Sequence, residues 1–285
     1  MNFRWYSKSF ALKLKRPFAH IMFGARQTGK STLIRHVLSE DAIIIDLSNP
    51  AERVRYQSHP EEFTAYCKTL PIGSTVCIDE VQSVPALFDA VQHLYDSNKT
   101  HWKFILCGSS ARKLRKAGAN LLPGRSFLHH LHPLICAEQP FHADSVGSKS
   151  ILPLPVNNVK EAFFPKWDIL ERIAFGALPG VVAAHESDRA ELLRAYTVIY
   201  LEEEIRRESM IRDMGAFWRF LQFAAIESGN IINYAAISQE TGISIPTVKA
   251  HFELLEDMYL GFRVHAFTKS KRKNVLSTPR FFFFD

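Results

Sequence analysis

Five short apolar runs divide the first half of the chain, and stretches with helical periodicity separate them. The runs lie at 20–23, 42–47, 75–78, 103–107 and 126–128. Such runs are typical of buried β-strands, and the periodic stretches are typical of amphipathic helices. Strands that alternate with helices predict an α/β fold with a parallel sheet, in which a ligand binds at the carboxyl ends of the strands.

Helical periodicity in this half is clearest at 30–38, 61–69 and 87–95. The stretch at 48–60 is predicted to be a polar loop. Prolines, a glycine and several serines make 139–158 a predicted linker. Beyond it helices dominate, with a break predicted at 179–180 and a longer helix at 192–200.

The end of the chain carries a different pattern. A helix is predicted at 217–226, a short helix at 233–241 with a turn at Gly242, and a third helix after Ser244. An alternating strand at 262–267, a basic tip and an apolar return at 281–284 follow. Together these elements predict a winged helix. The predicted domains are a core at 1–140, a linker and helical region at 141–215, and the winged helix at 216–285.

Composition bounds the class of protein. The chain has 285 residues, 47% of them apolar, which is enough for two domains with cores. A net charge of +6 permits an acidic partner such as nucleic acid without requiring one. The four cysteines lack CxxC spacing and are predicted to be buried thiols. No stretch suits a membrane span or a cleaved leader, so we predict a cytoplasmic protein without a membrane partner.

The most informative motif lies between the first apolar run and the first helix. Residues 24–31 read Gly-Ala-Arg-Gln-Thr-Gly-Lys-Ser and match the phosphate loop GxxxxGK[ST]. Its glycines let backbone N–H groups point at an anion, Lys30 can reach the β- and γ-phosphates, and Ser31 can bind Mg²⁺. The alternative, a glycine turn with a surface lysine, is disfavoured by the flanking strand and helix. The predicted nucleotide-binding residues are Gly24, Ala25, Arg26, Gln27, Thr28, Gly29, Lys30, Ser31 and Thr32.

Two acids end the third apolar run. In a protein with a phosphate loop, Asp79 would support Mg²⁺ through water, and Glu80 would orient and deprotonate the water that attacks the γ-phosphate. The alternative is a pair of solvated acids at a sheet edge. The separation between Lys30 and Asp79 suits a β-α-β-α-β layout and favours the catalytic interpretation.

Two further residues are candidates for catalysis. Ser109 follows the fourth apolar run and is predicted near the γ-phosphate, although it would equally serve as a helix N-cap. Arg125 precedes the fifth run and is predicted to stabilise phosphoryl charge, in cis or across a subunit interface. The alternative for Arg125 is a surface arginine in a turn.

These motifs, with the segments at 106–112, 122–125 and 133–134, resemble a large prokaryotic family of AAA-type ATPases that carry a C-terminal domain of unknown function. That family is distantly related to archaeal origin-recognition-like ATPases. The resemblance implies a strand order of 5-1-4-3-2, a helical lid over the nucleotide, ATP as nucleotide and Mg²⁺ as cofactor. It also implies that a further domain normally follows Asp285, and no nuclease activity is assigned to this chain.

The predicted winged helix makes DNA a candidate partner. Thr247 and Lys249 would face the groove, while the basic tip, Lys269, Lys271, Arg272 and Lys273, would meet phosphates. The alternative is a protein-docking module, and the acids on the same helix argue against deep insertion into a groove. We therefore keep two hypotheses, an ATPase that couples nucleotide state to DNA binding and a slow ATP-dependent switch that contacts a protein partner or a second copy. A small-molecule kinase is a weaker third.

Overall fold

The computed structural model describes residues 4–109, 122–135, 138–139, 164–165, 169–202, 205–206, 211, 213–267 and 277–284. The chain forms two compact units, Met1–Leu193 and Arg194–Asp285. The domain boundaries given above, at 140 and 215, stay predictions.

The first unit is built on a five-stranded sheet. Its strands are β1 Ala19–Phe23, β2 Ile43–Asp46, β3 Ser74–Asp79, β4 Trp102–Gly108 and β5 Ser126–His130. Every neighbouring pair is parallel, and the order is β2-β3-β4-β1-β5. Read from the other edge this order is 5-1-4-3-2, so the predicted parallel sheet and its strand order are confirmed.

Helices lie around this sheet. They are α1 Tyr6–Lys13, α2 Lys30–Val37, α3 Pro50–Ser58, α4 Glu61–Lys68, α5 Ala86–Ser97, α6 Ile169–Phe175, α7 Pro179–Ala183 and α8 Glu186–Ala195. A π-helical stretch, Tyr196–Leu201, follows α8 directly. The central strands are buried on both faces, as a parallel sheet between helices requires, with Val76, Ile105 and Leu106 fully enclosed.

The predicted polar loop at 48–60 is wrong, because α3 occupies most of it. The side chain of Asn49 accepts a hydrogen bond from the Ala51 N–H at 3.0 Å, and Pro50 occupies the first helical position. An Asn-Pro pair is a strong start signal for a helix. The weak apolar periodicity of α3, in which Tyr56 alone is buried, concealed it.

The predicted break at 179–180 is also displaced. Pro179 begins α7 rather than ending a helix, and the interruption lies at 176–178, where Gly176 has a positive φ of 66°. Proline at the first helical position loses no hydrogen bond, so it marks a start there.

A buried histidine pair joins β1 to β5. His20 Nδ1 and His129 Nε2 are 2.9 Å apart, and His129 Nδ1 lies 2.7 Å from the Tyr6 hydroxyl on α1. Burial lowers the pKa of His20 to about 4 and that of His129 to about 3, so both imidazoles are neutral at neutral pH. Sequence periodicity gave no sign of this polar link inside the core.

The thiols of Cys67, Cys77 and Cys107 are buried and unpaired by disulfides, as predicted, and burial raises the pKa of each. Cys136 lies outside the described residues. Within the described ranges, no helix has the length and apolar character needed to cross a membrane.

Beyond Asp213, the described part of the second unit forms three α-helices and two antiparallel strands. They are α9 Met214–Ile226, α10 Tyr234–Thr241, α11 Ile245–Asp257, β6 Gly261–Val264 and β7 Arg280–Phe283. Each helix begins with a side-chain cap, from Asp213, Asn233 and Ser244 respectively. The core between them is aromatic, since Phe217, Phe220, Phe252 and Phe281 are almost completely buried.

Candidate active site

The carboxyl ends of β1, β3 and β4 meet at one edge of the sheet. Because β4 lies between β1 and β3, Ser109 falls between the loop that follows Phe23 and the acids that end β3. The sheet therefore brings together three of the sequence-predicted segments, the phosphate loop, Asp79 with Glu80, and Ser109. Loops at the carboxyl edge of a parallel sheet are the usual place for a ligand.

The phosphate loop has the backbone shape that an anion cradle needs. Gly29 has a φ of 84°, in the left-handed region that favours glycine, and α2 begins at the next residue. At Gly24 a Cβ atom would lie 2.1 Å from the Leu131 carbonyl oxygen, so only glycine fits against the segment that follows β5. The amino end of α2 thus faces the loop with its unpaired N–H groups.

Lys30 lies inside the loop rather than in solvent. Its side chain is only 6% exposed, and its Nζ donates to the carbonyl oxygens of Gly24 and Ala25, each at 2.8 Å. The Thr28 hydroxyl donates to the Ala25 carbonyl at 2.9 Å. A buried ammonium satisfied only by loop carbonyls is well placed to exchange them for phosphate oxygens.

An open cleft of about 240 Å³ lies beside the loop. It is lined by Ser31, Thr32, Arg35, Asp46, Ser48, Asp79 and Glu80. Hydroxyl and carboxylate oxygens are the ligands that Mg²⁺ prefers, and Mg²⁺ at phosphate sites takes few protein ligands. No cluster of three or more His, Cys, Asp or Glu side chains suited to a metal occurs among the described residues. Ser31 and Asp79 therefore fit Mg²⁺ held jointly with a polyphosphate.

The two acids have distinct surroundings. Asp79 is buried, and its Oδ1 accepts a hydrogen bond from the Glu80 N–H at 3.0 Å. Glu80 is half-buried and has a φ of 55°. For a residue other than glycine this left-handed conformation costs roughly 1–3 kcal/mol, and such strain is concentrated at functional sites.

Gln82 is a site residue that the sequence interpretation missed. It is 5% exposed, and its Nε2 donates to the carboxylate of Glu80 and, at 2.9 Å, to the hydroxyl of Ser109. Only the NH₂ end of the amide can face a carboxylate, so the orientation of the side chain is fixed. Gln82 thus joins the acid that ends β3 to the serine that ends β4. The sequence signal was a glutamine within an apolar stretch, two positions after Glu80.

Arg125 lies away from this cluster. It immediately precedes β5, and its carbonyl accepts from the Ala19 N–H at the start of β1. The phosphate loop follows the other end of β1, about 16 Å along the strand. The Arg125 Nε is 2.6 Å from Asp96 Oδ1, and this guanidinium lowers the pKa of the Asp96 carboxyl. This position argues against a role in cis and leaves two of the predictions open, a role across a subunit interface and a surface arginine in a turn.

The predicted DNA-contacting residues divide into two groups. Thr247 and Lys249 lie exposed on α11, where Thr247 Oγ1 is 2.8 Å from Ser244 Oγ and the Lys249 ammonium is 5.3 Å from the centre of the Tyr234 ring. The basic tip lies outside the described residues. So does the helix that Ser109 was predicted to cap.

Comparison with known protein families supports the domain type predicted for the first unit. Residues 17–139 match the AAA domain family, and residues 166–285 match a domain of unknown function. The first match confirms a P-loop domain of the AAA type. The winged helix and the relationship to origin-recognition-like ATPases stay predictions.

Related chains are longer than this one. An uncharacterized protein of Haemophilus influenzae is 23% identical over 284 residues, which cover 94% of this chain and 67% of that protein. An uncharacterized protein of Mycobacterium tuberculosis is 22% identical over 238 residues, which cover 83% and 47% respectively. The chain therefore spans about two thirds of the first protein and about half of the second.

Among solved structures, the Thermotoga maritima RuvB Holliday junction branch migration motor is 14% identical, with a TM-score of 0.39 over 97% of this chain and 95% of that chain. That score is too low for the likeness to carry an argument about function.

Proposed function

Since residues 17–139 match the AAA domain family, we propose that the chain binds ATP at residues 24–32 and hydrolyses it with Mg²⁺. The observation that carries this proposal is the shared cleft, in which Ser31 of the phosphate loop lies with Asp79 and Glu80. The groups proposed to bind phosphate, bind the metal and act as the base therefore line the same cleft.

Each residue has a separate part in the proposed reaction. Lys30 exchanges the carbonyls of Gly24 and Ala25 for β- and γ-phosphate oxygens. Ser31 would bind Mg²⁺ through its hydroxyl and Asp79 would support the ion through water, and the ion would neutralise charge on the phosphates. Glu80 accepts a proton from the attacking water, and the Gln82 amide keeps its carboxylate beside Ser109.

Replacing Gln82 with leucine should lower kcat about tenfold and leave the Kd for ATP unchanged. The Glu80 carboxylate would lose the N–H donor that orients it, and outer-shell partners of this kind are typically worth factors of ten to a hundred. Phosphate release under saturating Mg·ATP measures kcat, and calorimetry measures Kd.

Gln92→Leu provides the matched control for this change, because Gln92 is a partly buried glutamine on α5 with an unpartnered Oε1. Equal kcat values in the wild type and Gln82→Leu would remove Gln82 from the mechanism.

We further propose that the second unit is a winged helix. The support is its order of elements, in which capped α10, the left-handed Gly242 and capped α11 precede the β6–β7 hairpin. An isolated bridge between Ile231 and Arg280 adds a third strand position to that hairpin. In this interpretation α11 is the recognition helix, and the basic tip belongs to the wing.

DNA is the proposed partner of this unit. Thr247 and Lys249 are exposed on the first turns of α11, the part of a recognition helix that contacts base edges. Lys269, Lys271, Arg272 and Lys273 add four positive charges between β6 and β7. Charges of that kind bind phosphates without regard to sequence.

The test is ATP turnover with and without duplex DNA at two salt concentrations. Turnover should require Mg²⁺ and rise with DNA at low salt, and the logarithm of the DNA affinity should fall with log salt at a slope of about −3 to −4 for four neutralised phosphates. Changing the four tip residues to glutamine should bring that slope near zero. The same changes at Lys68 and Lys99, exposed on the first unit, should leave it unaltered.

Affinity for DNA without salt dependence would contradict the assignment of the tip. A stable complex with a protein, or with a second copy of the chain, in the absence of salt-sensitive DNA binding would favour the slow ATP-dependent switch instead.

A further inference from the structure

Arg4, near the amino end of the described residues, contacts the backbone of the phosphate loop. Arg4 is 8% exposed, and its Nη1 donates to the carbonyl oxygen of Thr28. The same guanidinium forms an ion pair with Glu138, with 2.7 Å from Nε to Oε1 and 3.1 Å from Nη2 to Oε2. Its Nη2 also donates to the His132 carbonyl at 2.8 Å.

Glu138 fixes where this guanidinium lies. Its carboxylate, 3% exposed, also accepts from the Trp5 N–H at 2.7 Å and from the Ile135 N–H at 3.1 Å. Two backbone donors and a bidentate guanidinium satisfy both carboxylate oxygens, so the buried pair has no unpaired charge. Arg4 is therefore held in a single position relative to the segment that follows β5.

The contact with Thr28 determines the direction of the next N–H group. A trans peptide is planar, and its C=O and N–H bonds point to opposite sides. Because the Thr28 oxygen points toward Arg4, the Gly29 N–H of the same peptide points away from Arg4. Glycine at a φ of 84° has little steric preference of its own, so a peptide at this place depends on an outside contact for its orientation.

We propose that Arg4 is a positioning residue for the phosphate loop, and that Glu138 in turn positions Arg4. The Thr28–Gly29 peptide is kept with its N–H facing the polyphosphate of a bound nucleotide, and the hydrogen bond from Arg4 polarises that peptide and strengthens the donor. This inference rests on the proposed function of the loop and adds a residue that no motif marks. The ligand group concerned is the phosphate chain, not the base.

The decisive variant is Arg4→Met with Glu138→Gln. It removes the contact with Thr28 without leaving a buried charge, and its net charge equals that of the wild type, so a weaker affinity would not reflect a lost cation near a polyanion. We expect at least a tenfold rise in the Kd for Mg·ATP and for inorganic tripolyphosphate, measured by calorimetry. Both probes carry the phosphate chain, and the second has no base.

The second unit supplies a matched control. Arg263 and Glu256 form a similar pair, in which Glu256 accepts from the guanidinium, with 2.8 Å from Nε to Oε2, and from a backbone N–H at 2.7 Å. Arg263→Met with Glu256→Gln removes that pair by the same two substitutions, and no contact with the phosphate loop is lost. Both Kd values should stay within twofold of the wild type.

Arg4→Lys tests the same point if the double variant does not fold. A single ammonium retains the charge and cannot reproduce the forked contacts to Thr28 and Glu138. KM for ATP should rise several-fold while kcat at saturating ATP stays near that of the wild type. A general loosening of the fold would not raise KM and leave kcat unchanged.

Unchanged Kd values in the double variant, an equal loss in the control pair, or an unchanged KM in Arg4→Lys would overturn the proposal while leaving ATP binding by the wild type intact. Failure of the wild type to bind either probe would instead overturn the proposed function and this inference with it.

Discussion

Lys30→Ala should abolish detectable binding of ATP. The ammonium is buried in the loop, and hydrogen bonds to charged groups contribute about 1.5–3 kcal/mol each. Losing contacts to two phosphates therefore predicts a Kd at least a hundredfold higher. Calorimetric titration with Mg·ATP measures the change directly, and turnover should disappear with binding at ordinary ATP concentrations.

The same substitution at Lys68 controls for the loss of a lysine, because Lys68 is exposed at the end of α4. Thermal melting should accompany both titrations, since Lys30 also donates to the carbonyls of Gly24 and Ala25. A Lys30→Ala protein that melts like the wild type and binds ATP with wild-type affinity would refute the assignment of the phosphate loop.

Glu80→Gln should retain ATP binding and stop turnover. Glutamine has the same shape and can still accept a hydrogen bond from Gln82, but it cannot take a proton from water. General base catalysis typically contributes factors of a hundred to ten thousand, so kcat should fall by at least about a hundredfold. Single-turnover measurements should show bound ATP that remains intact.

Glu40→Gln is a suitable control because Glu40 is exposed beyond the end of α2. Its kcat and Kd should both match the wild type. Unimpaired hydrolysis in Glu80→Gln would exclude Glu80 as the base and move attention to Asp46, the third carboxylate on the wall of the cleft.

Features that depend on local sequence were predictable. The phosphate loop and the acids that follow the third apolar run are contiguous motifs, and the alternation of strands with helices predicted that the loops after the strands share one edge of a parallel sheet. The side-chain caps of α10 and α11 are local in the same way. Asn49 is an equally local signal, but α3 lacks an apolar stripe, because Tyr56 is its one buried residue.

Features that depend on distant residues were not predictable. Arg4 and Glu138 are 134 positions apart, and neither belongs to a recognised motif. Gln82 and Ser109 are 27 positions apart and meet only because β3 and β4 are neighbours. Arg125 belongs to a local motif, and that motif suggested a catalytic role. The motif could not show that the residue lies at the amino edge of the sheet.

The supports of the phosphate loop also bear on how the protein is made. Residues 24–31 are translated before Leu131 and Glu138, yet the Phe23 carbonyl is bound by the Leu131 N–H at 2.8 Å, Gly24 packs against the Leu131 carbonyl, and Arg4 pairs with Glu138. These partners are translated on the order of ten seconds later at usual rates of synthesis. During that interval the nascent chain carries the phosphate-loop motif without the contacts that shape it, so a bound nucleotide could assist the folding of this unit only after the segment that ends at Glu138 has emerged.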